Sequence, residues 1–179
     1  MAMVLLAAST QPAVAQSEAP SEAAAEQLAR KERVIFAGLA GIGVLVEEVD
    51  SIAGEDGLDK TTLQTDVELR LRQAGVPVLL KSEALKRPGS PFLYVNVKAL
   101  QRANGGYAYG ADVELQEQVK LARRPAVLVL SATTWRARGT LGVVEASELA
   151  ETVRAVVRDQ IDEFVNVYLA ANRKRAGRR

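Results

Sequence analysis

The stretch from Tyr107 to Leu121 limits the fold most severely, because apolar and polar side chains alternate along it. Successive side chains of a β-strand point to opposite faces of the sheet. The stretch therefore predicts a long strand in a sheet with one dry face and one solvated face. The predicted dry face consists of Tyr107, Tyr109, Ala111, Val113, Leu115, Val119 and Leu121, and the predicted wet face of Asp112, Glu114, Gln116, Gln118 and Lys120.

Two further strands flank this one along the chain. Phe92 to Leu100 alternates in the same way. It is joined to the strand that begins at Tyr107 by Asn104-Gly105-Gly106, an Asn-Gly hairpin turn in which positive φ is easily adopted. Arg123-Arg124-Pro125 turns the chain into another apolar stretch from Ala126 to Trp135. Short turns between strands predict an antiparallel meander. We expect Gly139 and Gly142 to lie in the loop that follows.

Two amphipathic helices are predicted, one before and one after the meander along the chain. The first is capped by Asp59, continues to about Ala74 and ends at Gly75. A short strand from Val76 to Leu80 follows, with Pro77 at its start or on an edge. The second helix begins after Ser147 and continues to about Ala171, and its apolar residues recur every three or four positions. Arg158 and Asp162 on this helix are predicted to form an ion pair.

The glycine-rich stretch GLAGIGVLVEEVD, residues 38–50, raises the question of nucleotide binding. Its glycines are spaced in the reverse order of the dinucleotide fingerprint, and the residues that follow are β-branched, which favours a strand. No Gly-Lys-Ser or Gly-Lys-Thr occurs in the chain. We therefore expect a buried strand from about Ile42 to Val49, with glycines where another segment approaches closely, and no nucleotide or other cofactor.

Together these elements predict an α+β fold in the order β-α-β-β-β-β-α. We expect a two-layer sandwich in which two helices cover one face of a mostly antiparallel sheet of four to five strands. A single domain should occupy residues 38–172. Residues 16–37 should form a linker or a loosely attached helix, and residues 173–179 a basic tail.

The first residues, MAMVLLAASTQPAVAQ, resemble part of a secretory signal. A short apolar run from Val4 to Ala8 is followed by Ala13-Val14-Ala15, a small-x-small cleavage site, although no Lys or Arg precedes the run. We therefore expect a signal peptide at residues 1–15 and a periplasmic or secreted protein, with a disordered tail as the alternative. The uncharged run from Val34 to Val46 is shorter than the ~20 residues of a membrane span, so no transmembrane segment is expected in the mature chain.

The chain contains no cysteine and no histidine. This excludes disulfides, Cys/His zinc sites and nucleophiles activated by histidine. Asp112 and Glu114 share the wet face and could act as paired carboxylates in a hydrolase, although the polar row around them is typical of a solvated surface. The sequence therefore predicts no catalytic residues, no metal site and a protein that is not an enzyme.

Contact residues are predicted at the end of the strand that contains Trp135. Trp135, Arg136 and Arg138 combine residue types that are common in binding hot spots, although Trp135 could instead cover the rim of the core. Tyr94 and Asn96 lie on the wet face, where an aromatic side chain is otherwise unexpected. These five residues are the interface candidates.

The basic tail contains Arg173, Lys174, Arg175, Arg178 and Arg179. The remaining chain carries 18 basic and 22 acidic residues, so the positive charge is concentrated at the C-terminus. Such a tail can bind nucleic acid, anionic lipid or an acidic partner, or it can be a solvated end with no specific role.

The order of elements resembles small α+β domains of the Gram-negative envelope. The resemblance rests on LRQAGVPVLL (Leu71–Leu80), FLYVNV (Phe92–Val97), YAYGADVELQEQV (Tyr107–Val119), the exported start and the long last helix, over roughly residues 38–171. The similar proteins are the lipopolysaccharide-assembly lipoprotein of the outer-membrane translocon, the curli-secretion CsgG-type domain and the TolB N-terminal domain. The lipobox cysteine of the assembly lipoproteins is missing. The resemblance implies a non-enzymatic binding or assembly module that contacts an envelope protein or itself.

Overall fold

The computed structural model describes residues 22–172, so the predicted signal at residues 1–15 and the basic tail at residues 173–179 lie outside the described residues. Helices and strands follow one another along the described chain as α1 (Glu22–Phe36), β1 (Ile42–Val46), α2 (Ser51–Glu55), α3 (Lys60–Gln73), β2 (Val78–Leu79), α4 (Lys81–Ala84), β3 (Phe92–Gln101), β4 (Tyr107–Leu121), β5 (Arg124–Arg136), β6 (Thr140–Val144), a 3-10 turn (Ala146–Glu148) and α5 (Leu149–Asn172).

The fold is α+β, with helices packed on a mixed sheet. The strand order is β2-β1-β3-β4-β5, and β6 pairs with β4 as well. β1 is parallel to both β2 and β3, whereas β3, β5 and β6 are antiparallel to β4. The prediction of a mostly antiparallel sheet is therefore wrong. The connection between β1 and β2 contains α2 and α3 and returns the chain to the same end of the sheet, so β2 runs parallel to β1.

The dry face of the sheet is covered by α3 and α5. Val95, Val113 and Leu115 of the sheet are fully buried, as are Leu71 of α3 and Ile161 of α5. The predicted alternation of β3 and of the first part of β4 is confirmed by this burial. The prediction of two helices is wrong, because residues 22–172 also contain α1, α2 and α4.

α1 occupies the segment for which a linker or loose helix was expected. Its last residue, Phe36, is fully buried, and its ring centroid lies 5.2 Å from that of Phe164 and 5.6 Å from that of Trp135. The side chain of Asn172, at the end of α5, accepts a hydrogen bond from Gly38 N and donates one to Phe36 O. These contacts attach the end of α1 to the end of α5.

The predicted ends of the first amphipathic helix, at Asp59 and Gly75, and the hairpin turn at Gly105 are confirmed. Asp59 caps α3 by accepting hydrogen bonds from the backbone of Thr61 and Thr62, at 2.8 and 3.3 Å. Gly75 and Gly105 end the helix and form the hairpin at φ +78° and +86°, a region that L side chains rarely adopt.

Salt bridges connect α3 to α5 at their surface. Asp162 accepts two hydrogen bonds of 2.6 Å from the guanidinium of Arg70, and Arg154 donates one of 2.6 Å to Asp66. The expected pair of Arg158 with Asp162 is therefore wrong, because a bidentate guanidinium from the neighbouring helix occupies that carboxylate. Exposed pairs of this kind stabilise a fold by only ~0.2–1 kcal/mol.

The glycines before and within β1 have the role that was predicted for them. A Cβ on Gly43 would lie 2.6 Å from the ring of Phe92 and 3.0 Å from Ala84, and one on Gly41 would lie 3.0 Å from Leu79. The stretch is a strand that neighbouring segments approach closely. Ala84 belongs to α4, so this short helix sits on the face opposite α3 and α5.

The segment after β5 differs from its prediction. Gly142 lies in β6, which pairs with the first residues of β4, rather than in a loop. The predicted N-cap Ser147 lies inside the 3-10 turn that precedes α5, and Glu145 precedes that turn without a capping hydrogen bond from its side chain. Among residues 22–172, no helix combines the length and the apolar character needed to cross a bilayer.

Candidate interaction surface

The face of the sheet that points away from α3 and α5 is open beyond α4. We call this surface the open face. Its main side chains are Tyr94, Asn96, Lys98 and Leu100 of β3, Ala108, Asp112, Glu114 and Gln116 of β4, and Leu141 and Val143 of β6. Polar and apolar residues are separated along it, so the two ends have different chemistry.

The polar end is organised around Glu114. Its side chain accepts hydrogen bonds from Thr133 at 2.7 Å and Gln116 at 3.4 Å, and it forms an ion pair with Arg136. Only 8% of Glu114 is exposed, although it lies on the open face. Burial opposes its ionisation, but the hydrogen bonds from Thr133 and Gln116 and the Arg136 guanidinium outweigh that effect and lower the pKa of Glu114.

This environment argues against a hydrolytic carboxylate pair. A general acid needs a raised pKa, whereas the pKa of Glu114 is lowered, and both its oxygens are engaged by neighbouring side chains. Asp112 is half-buried on the same face, directly opposite Asn96 of β3. Within the described residues, no group of three or more carboxylates is arranged to hold a metal ion.

A shallow depression lies between the two ends of the open face. Asn96, Lys98 and Asp112 supply its polar atoms, and Leu100 and Leu141 supply much of its apolar wall. The side-chain oxygen of Asn96 is buried and has no hydrogen-bond partner within residues 22–172. A buried acceptor of this kind costs free energy until a donor reaches it, so a partner donor would be stabilised there.

The apolar end carries large side chains in full contact with solvent. Leu100 is 71% exposed, Leu141 is 89% exposed and Val143 is 68% exposed. They come from the two strands that flank the first half of β4, and Ala108 and Gly110 of β4 lie between them. Contiguous apolar side chains on a surface are typical of an interaction site.

β6 also presents an open edge beside these side chains. Gly106 O, just before β4, accepts a hydrogen bond from Arg102 on the β3 side. Val113 O of β4 accepts one from Ala137 on the opposite side, so even-numbered residues of this part of β4 bond toward β3 and odd-numbered residues toward β6. By that alternation Gly142 and Val144 bond to β4, whereas the N–H and C=O groups of Leu141 and Val143 point away from the sheet. Such groups can pair with another strand.

β5 continues the same side of β4 but is less regular. Its register with β4 shifts at three places, and it contains Pro125. Part of it extends past the end of β3, where Val127, Leu128 and Leu130 are exposed. Bulges and proline are devices that prevent an edge strand from pairing with other chains.

The predicted interface candidates fall in three different places. Trp135 is only 6% exposed, packs on Phe36 and Phe164, and donates a hydrogen bond of 3.1 Å to Glu32. It is therefore a core residue, which agrees with the alternative interpretation that Trp135 covers the rim of the core. The reason is that Trp135 pairs with the buried Leu115, so its side chain points to the dry face.

The other candidates remain accessible. Tyr94 and Asn96 are half-buried on the open face, and Arg136 reaches that face through its ion pair with Glu114. Arg138 is exposed in the break between β5 and β6, where its carbonyl accepts a hydrogen bond from Gln160 and its N–H donates to Glu163. The tail residues lie outside the described part of the chain.

Sequence reasoning missed Leu141 and Val143. The signal was present in the apolar alternation of Thr-Leu-Gly-Val-Val, residues 140–144, but Gly139 and Gly142 indicated a loop. Gly142 is needed because a Cβ there would lie 2.7 Å from Cζ of Tyr109. A glycine inside a strand pattern can mark such a close approach rather than a turn.

Fold and surface together define an α+β domain whose mixed sheet has one helix-covered face and one open face that ends in an apolar edge. Comparison with protein-family models, curated proteins and solved structures finds no match to this chain.

Proposed function

We propose that the protein is an exported, non-enzymatic binding or assembly module of the bacterial cell envelope, and that it acts through protein–protein contacts. The supporting observation is the juxtaposition of exposed Leu100, Leu141 and Val143 with the free backbone edge of β6. Strand addition uses both features, because main-chain hydrogen bonds provide affinity and side-chain contacts provide selectivity.

The envelope location is supported by the predicted signal at residues 1–15 and by the resemblance to envelope domains. Fractionation of the cells that produce the protein tests this part, with the mature N-terminus determined by mass spectrometry. We expect a chain that begins at Gln16 in the periplasmic or secreted fraction. A full-length chain confined to the cytosol would contradict it.

Two other functions have less support. A carboxylate-dependent hydrolase would need Asp112 and Glu114 to exchange protons, and the hydrogen bonds and ion pair of Glu114 hold it ionised. Binding of nucleic acid or anionic lipid through the tail would depend steeply on salt concentration and would disappear on removal of residues 173–179.

Photocrosslinking in intact cells tests the contact surface. A photoreactive amino acid is placed at position 141, and a matched probe at position 65, where Thr65 is exposed on α3 away from the open face. We expect a covalent adduct of discrete mass from position 141 and none from position 65. Adducts of equal yield from both positions, or from neither, would contradict the proposed surface.

A further inference from the structure

The partner that best fits the edge of β6 is a second copy of this chain. We propose that two copies pair their β6 strands antiparallel about a two-fold axis at Gly142, which joins their sheets edge to edge. This inference rests on the proposed function, since it names the occupant of the same surface.

The backbone of β6 is compatible with this symmetry. Leu141 and Val143 direct their backbone groups outward, and Gly142 lies midway between them. With the axis at Gly142, Leu141 of each copy lies opposite Val143 of the other, so each of these pairs exchanges two hydrogen bonds. Centring the axis on Gly142 therefore uses every outward backbone group of these two residues.

The side chains are complementary to themselves in this register. Leu141 meets Val143 of the second copy on the open face, which brings apolar groups into contact where both are now exposed. On the helix-covered face the two Gly142 residues face each other at a Cα separation of about 4.5 Å. Each glycine is covered by its own Tyr109 ring, so the Tyr109 rings of both copies approach the axis.

Charges at the ends of the paired strands also fit. If the pairing continues beyond β6, Gly139 lies opposite Glu145 of the second copy, and Arg138 is the adjacent basic residue. This arrangement occurs twice by symmetry, and neither Arg138 nor Glu145 takes part in an ion pair within the described residues. Oppositely charged groups at matching positions favour association and fix its register.

The other exposed edges fit a second copy less well. β5 has an irregular register and contains Pro125, and β2 has only two residues, which is too short to template a strand. β6 pairs with β4 without interruption from Thr140 to Val144. Among the edges of this sheet, β6 is the one with regular outward hydrogen-bonding groups and no charged residue.

Cysteine crosslinking tests the register, because the native chain has no cysteine. Leu141→Cys and Val143→Cys are made in separate full-length mature chains, mixed and oxidised. Opposite bonded residues lie about 5.5 Å apart between Cα atoms, within the range that a disulfide spans. Residues of the same number lie roughly 9 Å apart, which is outside it.

We expect roughly tenfold more disulfide-linked dimer in the mixture than in either variant alone, because only the mixture places two cysteines opposite each other. Equal crosslinking in all samples, or none in any, would overturn the proposed register. Circular dichroism of each variant verifies that it is folded.

Sedimentation velocity at micromolar concentration tests association without cysteine. We expect a dimer for the native mature chain, a monomer for Leu141→Lys and a dimer for Leu130→Lys, a matched exposed leucine on the β5 edge. A monomeric native chain, or dissociation by Leu130→Lys alone, would overturn the inference. An adduct at position 141 with a different protein would leave the proposed function standing and remove the second copy as its partner.

Discussion

β5 and β6 lie end to end along the same side of β4, yet they differ in what they contribute. β5 is bulged at three places and ends in Trp135, which is anchored between Phe36 and Phe164. β6 is regular, and it exposes Leu141 and Val143. One side of this sheet is therefore divided into a segment that holds the fold together and a segment that remains available for contact.

The break between the two strands maintains this division. Gln160 of α5 is buried, and its amide donates hydrogen bonds to Ala111 O at 2.9 Å and Arg138 O at 3.0 Å. These bonds connect α5 to β4 and to the segment between β5 and β6. A single helix side chain thus holds the chain at the point where one strand ends and the next begins.

Truncation of Trp135 should have the largest effect on the stability of the fold. We expect Trp135→Ala to lower the free energy of unfolding by ~3–5 kcal/mol, because it empties a buried aromatic site. Leu141→Ala should change it by less than ~0.5 kcal/mol, because that side chain is solvated. Urea denaturation at a concentration where the chain is monomeric measures both.

The two variants separate anchoring from contact. Trp135→Phe should recover part of the loss, since it restores most of the volume but not the hydrogen bond to Glu32. If Leu141→Ala proved as destabilising as Trp135→Ala, β6 would be part of the core and the distinction between the strands would fail.

Proline substitution at neighbouring positions of β6 should have the next largest effect. Val144→Pro removes an N–H that the alternation assigns to the β4 ladder, and we expect a loss of ~1–3 kcal/mol. Val143→Pro removes an N–H that points outward, so the monomer should lose less, while the dimer should dissociate. Denaturation and sedimentation velocity on the same samples provide both measurements.

Amide hydrogen exchange of the native chain is the control for these variants. The amides of Leu141 and Val143 should exchange quickly in the monomer, and those of Gly142 and Val144 slowly. The reverse order would show that the edge presents the other set of backbone groups.

Glycine substitutions should give a smaller difference. Gly142→Ala places a methyl group 2.7 Å from Cζ of Tyr109, so the ring must move. We expect a cost of about 1 kcal/mol, the lower end of the range for overpacking. Gly139→Ala places a methyl group 2.8 Å from Oδ1 of Asp112, the end of a side chain that can rotate, and should cost less. Thermal denaturation compares the stabilities of the two variants. An equal loss of stability would mean that the Tyr109 ring moves aside without cost.

The sequence predicted the elements better than their pairing. Alternation in β3 and β4, the cap at Asp59 and the turn at Gly105 are local, and each was read correctly because neighbouring residues determine it. The parallel direction of β1 relative to β3 depends on a crossover, which local patterns do not encode. It follows only when the strand–helix–strand order is combined with the geometry of helical connections.

The candidate surface was predicted in part, for the same reason. Tyr94 and Asn96 were placed on the open face by alternation within their own strand. The sequence left open whether Trp135 contacts a partner or covers the rim of the core, because the bulge at Thr134, which changes the direction of side chains, is a property of two strands and not of one. Leu141 and Val143 were missed because glycine is required at position 142 by the close approach of Tyr109, a residue distant in sequence.

The smallest predicted effect concerns pH and the polar end of the open face. The pKa of Glu114 in the folded state is below its ordinary value of 4.5, so the folded chain binds this proton less readily than the unfolded chain. Its contribution to stability is therefore present above that value and is lost as the pH falls below it. The difference in free energy of unfolding between the native chain and Glu114→Gln should shrink as the pH falls below 4.5.

Thr133→Val removes one of the hydrogen bonds that lower the pKa of Glu114, and should move this loss of stability to higher pH. Urea denaturation between neutral and acidic pH measures the curves. Parallel curves for the native chain and Glu114→Gln would mean that the bonds of Glu114 with Thr133 and Arg136 add nothing to the attachment of β5 to β4 beyond the backbone ladder and Trp135.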